Sequence, residues 1–138
     1  MKQGKNKQKE AAIKRSEENL NAAKLLIAHG NCRNAAASRL YYSVLQLIFA
    51  EMCCHTDFKL GANTESHKQA RDYMKNKYGR AARNFKNLEE LRSQADYEEV
   101  PIDEKSFNDA CRLWIGELGG LRAQYLNNLN SPHERVIL

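Results

Sequence analysis

Apolar residues recur at steps of three and four along most of the chain, and no stretch alternates with β-branched enrichment as a strand would, so the pattern predicts an all-α fold. From about Glu10 to Ala28, Ile13, Leu20, Ala23 and Ile27, with neighbouring Leu26, form one broad stripe, and Lys14, Arg15, Glu17 and Glu18 lie mostly outside it. Gly30 supplies a stop signal, and Asn31 is a candidate cap for the next helix. That second helix, about Cys32 to His55, is the expected core element. Ala36, Leu40, Val44, Leu47 and Ile48 align on one side, while Tyr41, Leu45 and Met52 widen the apolar surface and leave only a narrow face for solvent.

A loop around Thr56 to Asn63 contains Gly61 and leads, through Asn63 or Thr64 as cap, into a helix ending near Tyr78, with Gly79 as its stop. A fourth helix, about Arg80 to Asp96, presents Phe85, Leu88 and Leu91 inward, and the charged, Pro-containing stretch Glu98 to Ile102 follows it. Asp103 or Ser106 caps a last helix built on Phe107, Ala110, Cys111, Trp114, Leu118, Leu121, Tyr125 and Leu129. Gly116, Gly119 and Gly120 inside it cost about 1 kcal/mol each relative to alanine, which a close helix contact would offset. There is no internal repeat and no linker. The expected division is a basic flexible tail (1–9), one helical domain (10–129) and a C-terminal tail (130–138).

Length and composition narrow the class without naming a function. The 138 residues suit one domain, and 42% hydrophobic with 28% charged residues excludes collagen-like, low-complexity and wholly disordered chains. Lys2, Lys5, Lys7 and Lys9 precede no apolar run, so the start reads as neither a secretory signal nor a lipidation site, and a cytoplasmic location is the expectation. Leu40 to Cys54 is interrupted by Ser43, Gln46 and Glu51 and falls short of the roughly 20 residues that cross a bilayer, so no membrane association is expected. Cys32, Cys53, Cys54 and Cys111 lack paired CxxC spacing, which favours reduced thiols over a metal site. No metal and no cofactor are expected.

Three segments carry the candidate chemistry: Ala36-Ala37-Ser38-Arg39-Leu40-Tyr41-Tyr42 in the second helix, Glu65-Ser66-His67-Lys68 opening the third, and Leu91-Arg92-Ser93-Gln94-Ala95-Asp96-Tyr97 closing the fourth. Taken in this order, they resemble the HEPN domain family. That family's pattern has an Ala-rich helix carrying an Arg, one further residue and then a Tyr pair, a Ser-His step near the start of a later helix, and an Arg followed after two residues by Ala-Asp-Tyr. The resemblance runs from about Asn19 to Leu126, the last helix fitting by length and position only. It implies an up-and-down bundle of about five helices that pairs into a homodimer. Many members act with a minimal nucleotidyltransferase as a toxin–antitoxin pair, and others are RNases whose Arg and His, with four to six residues between them, work on the ribose 2′-hydroxyl without a metal.

That catalytic spacing is absent. None of His29, His55, His67 and His133 has an Arg five to seven residues before it. After Arg92 the chain offers Tyr97, and a tyrosine with an ordinary pKa near 10 is a poor general base at neutral pH. The resemblance therefore implies a HEPN-like protein that binds without catalysing. Its candidate groove comprises Arg39, Tyr42, His67, Arg92, Asp96 and Tyr97. Each residue has a plainer reading. Arg92 and Asp96, at i and i+4, form an ordinary surface pair, Tyr41 packs in the core or a dimer contact, and His67 makes a local hydrogen bond.

The net charge of +5, from 22 Lys+Arg against 17 Asp+Glu, is unevenly spread. Lys68, Arg71, Lys75, Lys77, Arg80, Arg83, Lys86 and Arg92 face only Asp72, Glu89 and Glu90 in their stretch, while Glu98 to Asp109 reverses the sign. The basic stretch fits a phosphate backbone or a solvated helix face. The expected partners are a second copy of the chain, a minimal nucleotidyltransferase, and a nucleotide or RNA. The alternatives are an RNase toxin with an atypical site at Arg92, Asp96 and Tyr97, and a helical interaction adaptor using apolar faces and split charge.

Overall fold

The computed structural model describes residues 2–30, 32–56, 64–78, 80–97, 102–112 and 114. All five elements among them are helices: α1 (Lys2–His29), α2 (Arg33–His55), α3 (Thr64–Tyr78), α4 (Arg80–Tyr97) and α5 (Glu104–Cys111). The chain is thus an all-α bundle, with α2 at its centre touching every other helix.

α2 takes that place because almost every turn of it is apolar. Ala36, Ala37, Leu40, Tyr41, Val44, Leu45, Leu47, Ile48 and Phe49 are all buried. Each fully buried Leu or Ile among them contributes about 1.5–3 kcal/mol of transfer free energy. Glu51 is buried in the same helix with Lys77 Nζ 3.7 Å from its carboxylate, the partner that burial of a charge requires.

α1 packs antiparallel along α2. Asn19 meets Arg39, Ser16 meets Ser43 and Gln8 meets Cys53, one chain ascending as the other descends. The buried stripe of α1 runs through Ala12, Ser16, Leu20 and Ala23, whose small members let the two backbones approach closely. At this contact the Ser16 hydroxyl donates to the Ser43 carbonyl at 2.7 Å, and Trp114 Nε1–H donates to Ser43 Oγ at 3.4 Å. Ile13, expected in the stripe, is only partly buried and packs against the core from its edge.

The helix also starts at Lys2, eight residues before the expected Glu10. Its first turns hold no apolar stripe to betray them, yet Lys, Gln and Glu are good helix formers, and Ala12 and Gln8 extend the contact with α2 as far as Cys53. The segment 1–9, expected as a flexible tail, is therefore helical from Lys2 onward.

The ends of the helices follow local chemistry. Gly30 adopts φ +79°, a left-handed conformation that favours glycine, and its N–H donates to the Ile27 carbonyl at 3.0 Å. Asp103 caps α5 by accepting from Ser106 N–H at 3.1 Å, which decides between the two expected caps. Asn34 Oδ1 accepts from Ile102 N–H at 3.2 Å and fastens the entrance of α5 to the start of α2. All four cysteines are free thiols, with Cys53 buried. No described helix is long and apolar enough to cross a membrane. The expected cap Asn31, the helix past Trp114 with Gly116, Gly119 and Gly120, and the tail 130–138 lie outside the described residues.

Candidate functional site

Tyr41 and Tyr42 sit at the middle of α2, His67 and Arg71 on the first turns of α3, and Phe85, Glu89, Arg92 and Asp96 along α4. α2 and α3 ascend together along their contact, since Tyr41 meets His67 and Glu51 meets Lys77. This parallel pairing brings the start of α3 level with the tyrosine pair. α4 supplies the third wall.

Tyr41 is the hub. Its buried ring stacks on Phe85 at 5.5 Å and on His67 at 5.8 Å between centroids, and meets the Tyr42 ring edge-on at 5.3 Å. Its hydroxyl lies 2.8 Å from His67 Nδ1 and 3.4 Å from Glu89 Oε2. Burial, with the Glu89 carboxylate nearby, pushes the phenol well above its ordinary value, so it stays protonated across the physiological range. The phenol donates to Glu89, and the shorter contact with His67 takes its direction from the ring's tautomer.

His67 is partly exposed, and its Nε2 makes no hydrogen bond among the described residues. Desolvation first, then the positive charges of Arg92 and Arg71, lower its pKa from the usual 6.5, while Glu89 opposes them. At neutral pH the ring is accordingly uncharged. With Nδ1 tied to the Tyr41 hydroxyl, Nε2 is the ring nitrogen left to meet a ligand, as donor or acceptor according to the tautomer.

The Arg92 guanidinium lies 5.5 Å from both the Tyr41 and Tyr42 ring centroids, in cation–π range of each. Its Nη2–H donates to Tyr42 Oη at 2.8 Å, and its Nε stands 3.1 Å from Asp96 Oδ2. One side chain, only 18% exposed, thus makes both the expected pair with Asp96 and a bond to Tyr42 across to α2. Arg71 Nη1 meets Glu89 Oε2 at 2.6 Å, so two arginines and two carboxylates balance around an uncharged His67.

The structure brings together four of the six expected groove residues: Tyr42, His67, Arg92 and Asp96. Arg39 is elsewhere, donating to Asn19 Oδ1 at 3.2 Å, a neutral partner on α1. Tyr97 is the last residue of α4, and its side chain lies outside the described residues, as does that of Arg80. Lys68, Arg71, Lys75, Arg83 and Lys86 of the expected basic patch are exposed. Of these, Arg71 and Lys75 follow His67 at i+4 and i+8 along one edge of α3, with Lys68 beside them, so they flank the cluster. Sequence reasoning placed Tyr41 in the core but missed its hydroxyl's role. It also took Glu89 only as a counter-charge. An acid three residues before Arg92 on the same helix was the available signal.

Among the described residues, no group of three His, Cys, Asp or Glu side chains comes together as a metal ion would need. No family model, no curated protein and no solved structure matches this chain.

Proposed function

We propose that this chain is a HEPN-like helical module that binds a phosphate-bearing ligand, a nucleotide or RNA, without cleaving it. The observation that carries the reading is the convergence of Tyr42, His67, Arg92 and Asp96 from three helices at one rim, beside the basic edge Lys68, Arg71 and Lys75. His67 supplies an uncharged imidazole nitrogen, the α3 edge supplies charge for phosphate oxygens, and Tyr42 supplies a ring at the polar border. Arg92 holds the tyrosines and Asp96 in place. The absence of catalysis is supported by the missing Arg-to-His spacing and by a buried phenol that keeps its proton. A homodimer and a nucleotidyltransferase partner follow from the family resemblance and are tested by light scattering and by co-purification.

Titration of a labelled single-stranded RNA and of 5′-AMP at 50 and 200 mM salt tests the reading. Salt-sensitive binding is expected, weakened about tenfold or more in a Lys68→Glu, Lys75→Glu double variant, with the RNA intact afterwards. No binding of either ligand at millimolar concentration overturns it. Cleavage that disappears in Arg92→Ala would replace it with the RNase alternative.

A further inference from the structure

Two polar groups at the Asp96 end of the rim have hydrogen-bonding capacity left over. Tyr42 Oη accepts from Arg92 Nη2 at 2.8 Å, and its own hydrogen meets no acceptor among the described residues. Asp96 Oδ2 stands 3.1 Å from Arg92 Nε, and Oδ1 of that carboxylate, on a side chain 33% exposed, meets no donor there. Both groups are held by one planar guanidinium, so the edge of a flat ligand can span them, meeting a phenol donor first and carboxylate acceptors beside it. Guanine carries the complementary edge. Its O6 accepts, while N1–H and the N2 amino group donate side by side, the pattern that a carboxylate takes on two oxygens. Adenine can give its amino group to the carboxylate and its N1 to the phenol, but it has no second donor, and one carboxylate oxygen stays unpaired.

The spacing of the charged groups fits the rest of a nucleotide. From Asp96 back to Glu89 is seven residues of α4, ~10 Å of helical rise, and Glu89 Oε2 marks the level of Arg71, 2.6 Å away. One nucleotide spans a similar length from the outer edge of its base to its 5′-phosphate. His67 lies one turn before Arg71 on α3, level with the sugar between those ends, and Lys75 lies one turn beyond Arg71. A ribose hydroxyl both donates and accepts, so it suits His67 Nε2 in either tautomer. We propose that this end of the rim is a guanine subsite: Tyr42 and Asp96 read the base edge, His67 meets the ribose, and Arg71 and Lys75 take the 5′-phosphate of a guanine ribonucleotide. The inference rests on the phosphate-ligand reading above and names the base that this ligand carries.

Calorimetric titration with GMP, IMP and AMP at 50 mM salt tests it. GMP should bind about tenfold more tightly than AMP, and IMP, which lacks only the N2 amino group, should fall to the AMP level. Asp96→Asn, at an exposed position near the end of α4, puts a donor where guanine needs an acceptor and should bring GMP to within about twofold of AMP. Lys14→Gln on α1 should leave the ratio as it is, and circular dichroism checks that both variants keep their helix content. GMP and AMP binding equally well to the parent, IMP matching GMP, or a preference that persists in Asp96→Asn overturns the guanine subsite. In each of those cases salt-sensitive binding of the nucleotides leaves the phosphate reading standing. Guanosine binding as tightly as GMP, with the Asp96→Asn effect intact, removes the phosphate reading and keeps the base subsite. A uridine hexamer with one internal guanine that binds more tightly than GMP makes RNA the source of the base, and weaker binding makes it the free nucleotide.

Discussion

Replacing Tyr41 by phenylalanine separates what the ring does from what the hydroxyl does. The ring would keep its stacks on Phe85 and His67 and its place beside Arg92, so no apolar contact is lost. What disappears is the 2.8 Å hydrogen bond to His67 Nδ1, since the 3.4 Å approach to Glu89 is weak and that carboxylate retains Arg71. A bond of this kind is worth about 1 kcal/mol net, with a further cost for a half-buried nitrogen left facing a ring C–H. With an m-value of about 2 kcal/mol/M, the urea midpoint should fall by ~0.5 M, and the melting temperature by about 3 °C for a chain of this length. Truncation to alanine would instead cost about 3–5 kcal/mol through the cavity it leaves. Urea denaturation followed by circular dichroism reads both variants. A Tyr41→Phe protein as stable as the parent would refute the bond, whereas an equal loss in both variants would refute the division between ring and hydroxyl.

The remaining predictions concern termini and pH. Gly30→Ala should lose about 1 kcal/mol by urea titration even though nothing lies within 4 Å of the added methyl, because the cost is that of holding φ +79°; an unchanged midpoint would show that the turn relaxes freely. Asp103→Ala removes the acceptor for Ser106 N–H and should cost about 0.5–2 kcal/mol, and Asp103→Ser should recover most of it. Folding holds the His67 pKa below its ordinary 6.5, so the unfolded chain takes up the proton more readily. The stability that the neutral ring contributes is therefore complete above about pH 6.5 and is lost as pH falls through the lower folded-state value. Urea midpoints between pH 7.5 and 5 should drop more steeply for the parent than for His67→Asn, and parallel profiles would contradict the assignment.

Much of the fold was legible because its signals are local. α2, α3 and α4 begin and end within one residue of their expected limits, since apolar period, Gly30, Thr64 and Gly79 mark them in the chain itself. α1 was legible only from Glu10 onward, because Lys2–Lys9 has helix-forming residues but no apolar stripe, and its packing depends on α2 lying alongside. Ser16 and Glu51 gave no core signal. Each is buried through a partner distant in sequence, Ser43 and Lys77. The site divides in the same way. The type and face of Tyr42, His67 and Arg92 could be read from spacing. Their meeting could not, since it follows from α3 ascending parallel to α2, and neither could the diversion of Arg39 to Asn19.

The central claim is that Tyr42, His67, Arg92 and Asp96 form one ligand-binding rim. Titrating an isotopically labelled protein with short single-stranded RNA, and mapping backbone and imidazole signals at 50 and 200 mM salt, tests it most directly. The account predicts salt-sensitive changes concentrated at those four residues and along Lys68, Arg71 and Lys75. Changes confined to the outer face of α1 around the exposed Leu25, or none at millimolar RNA, would contradict it.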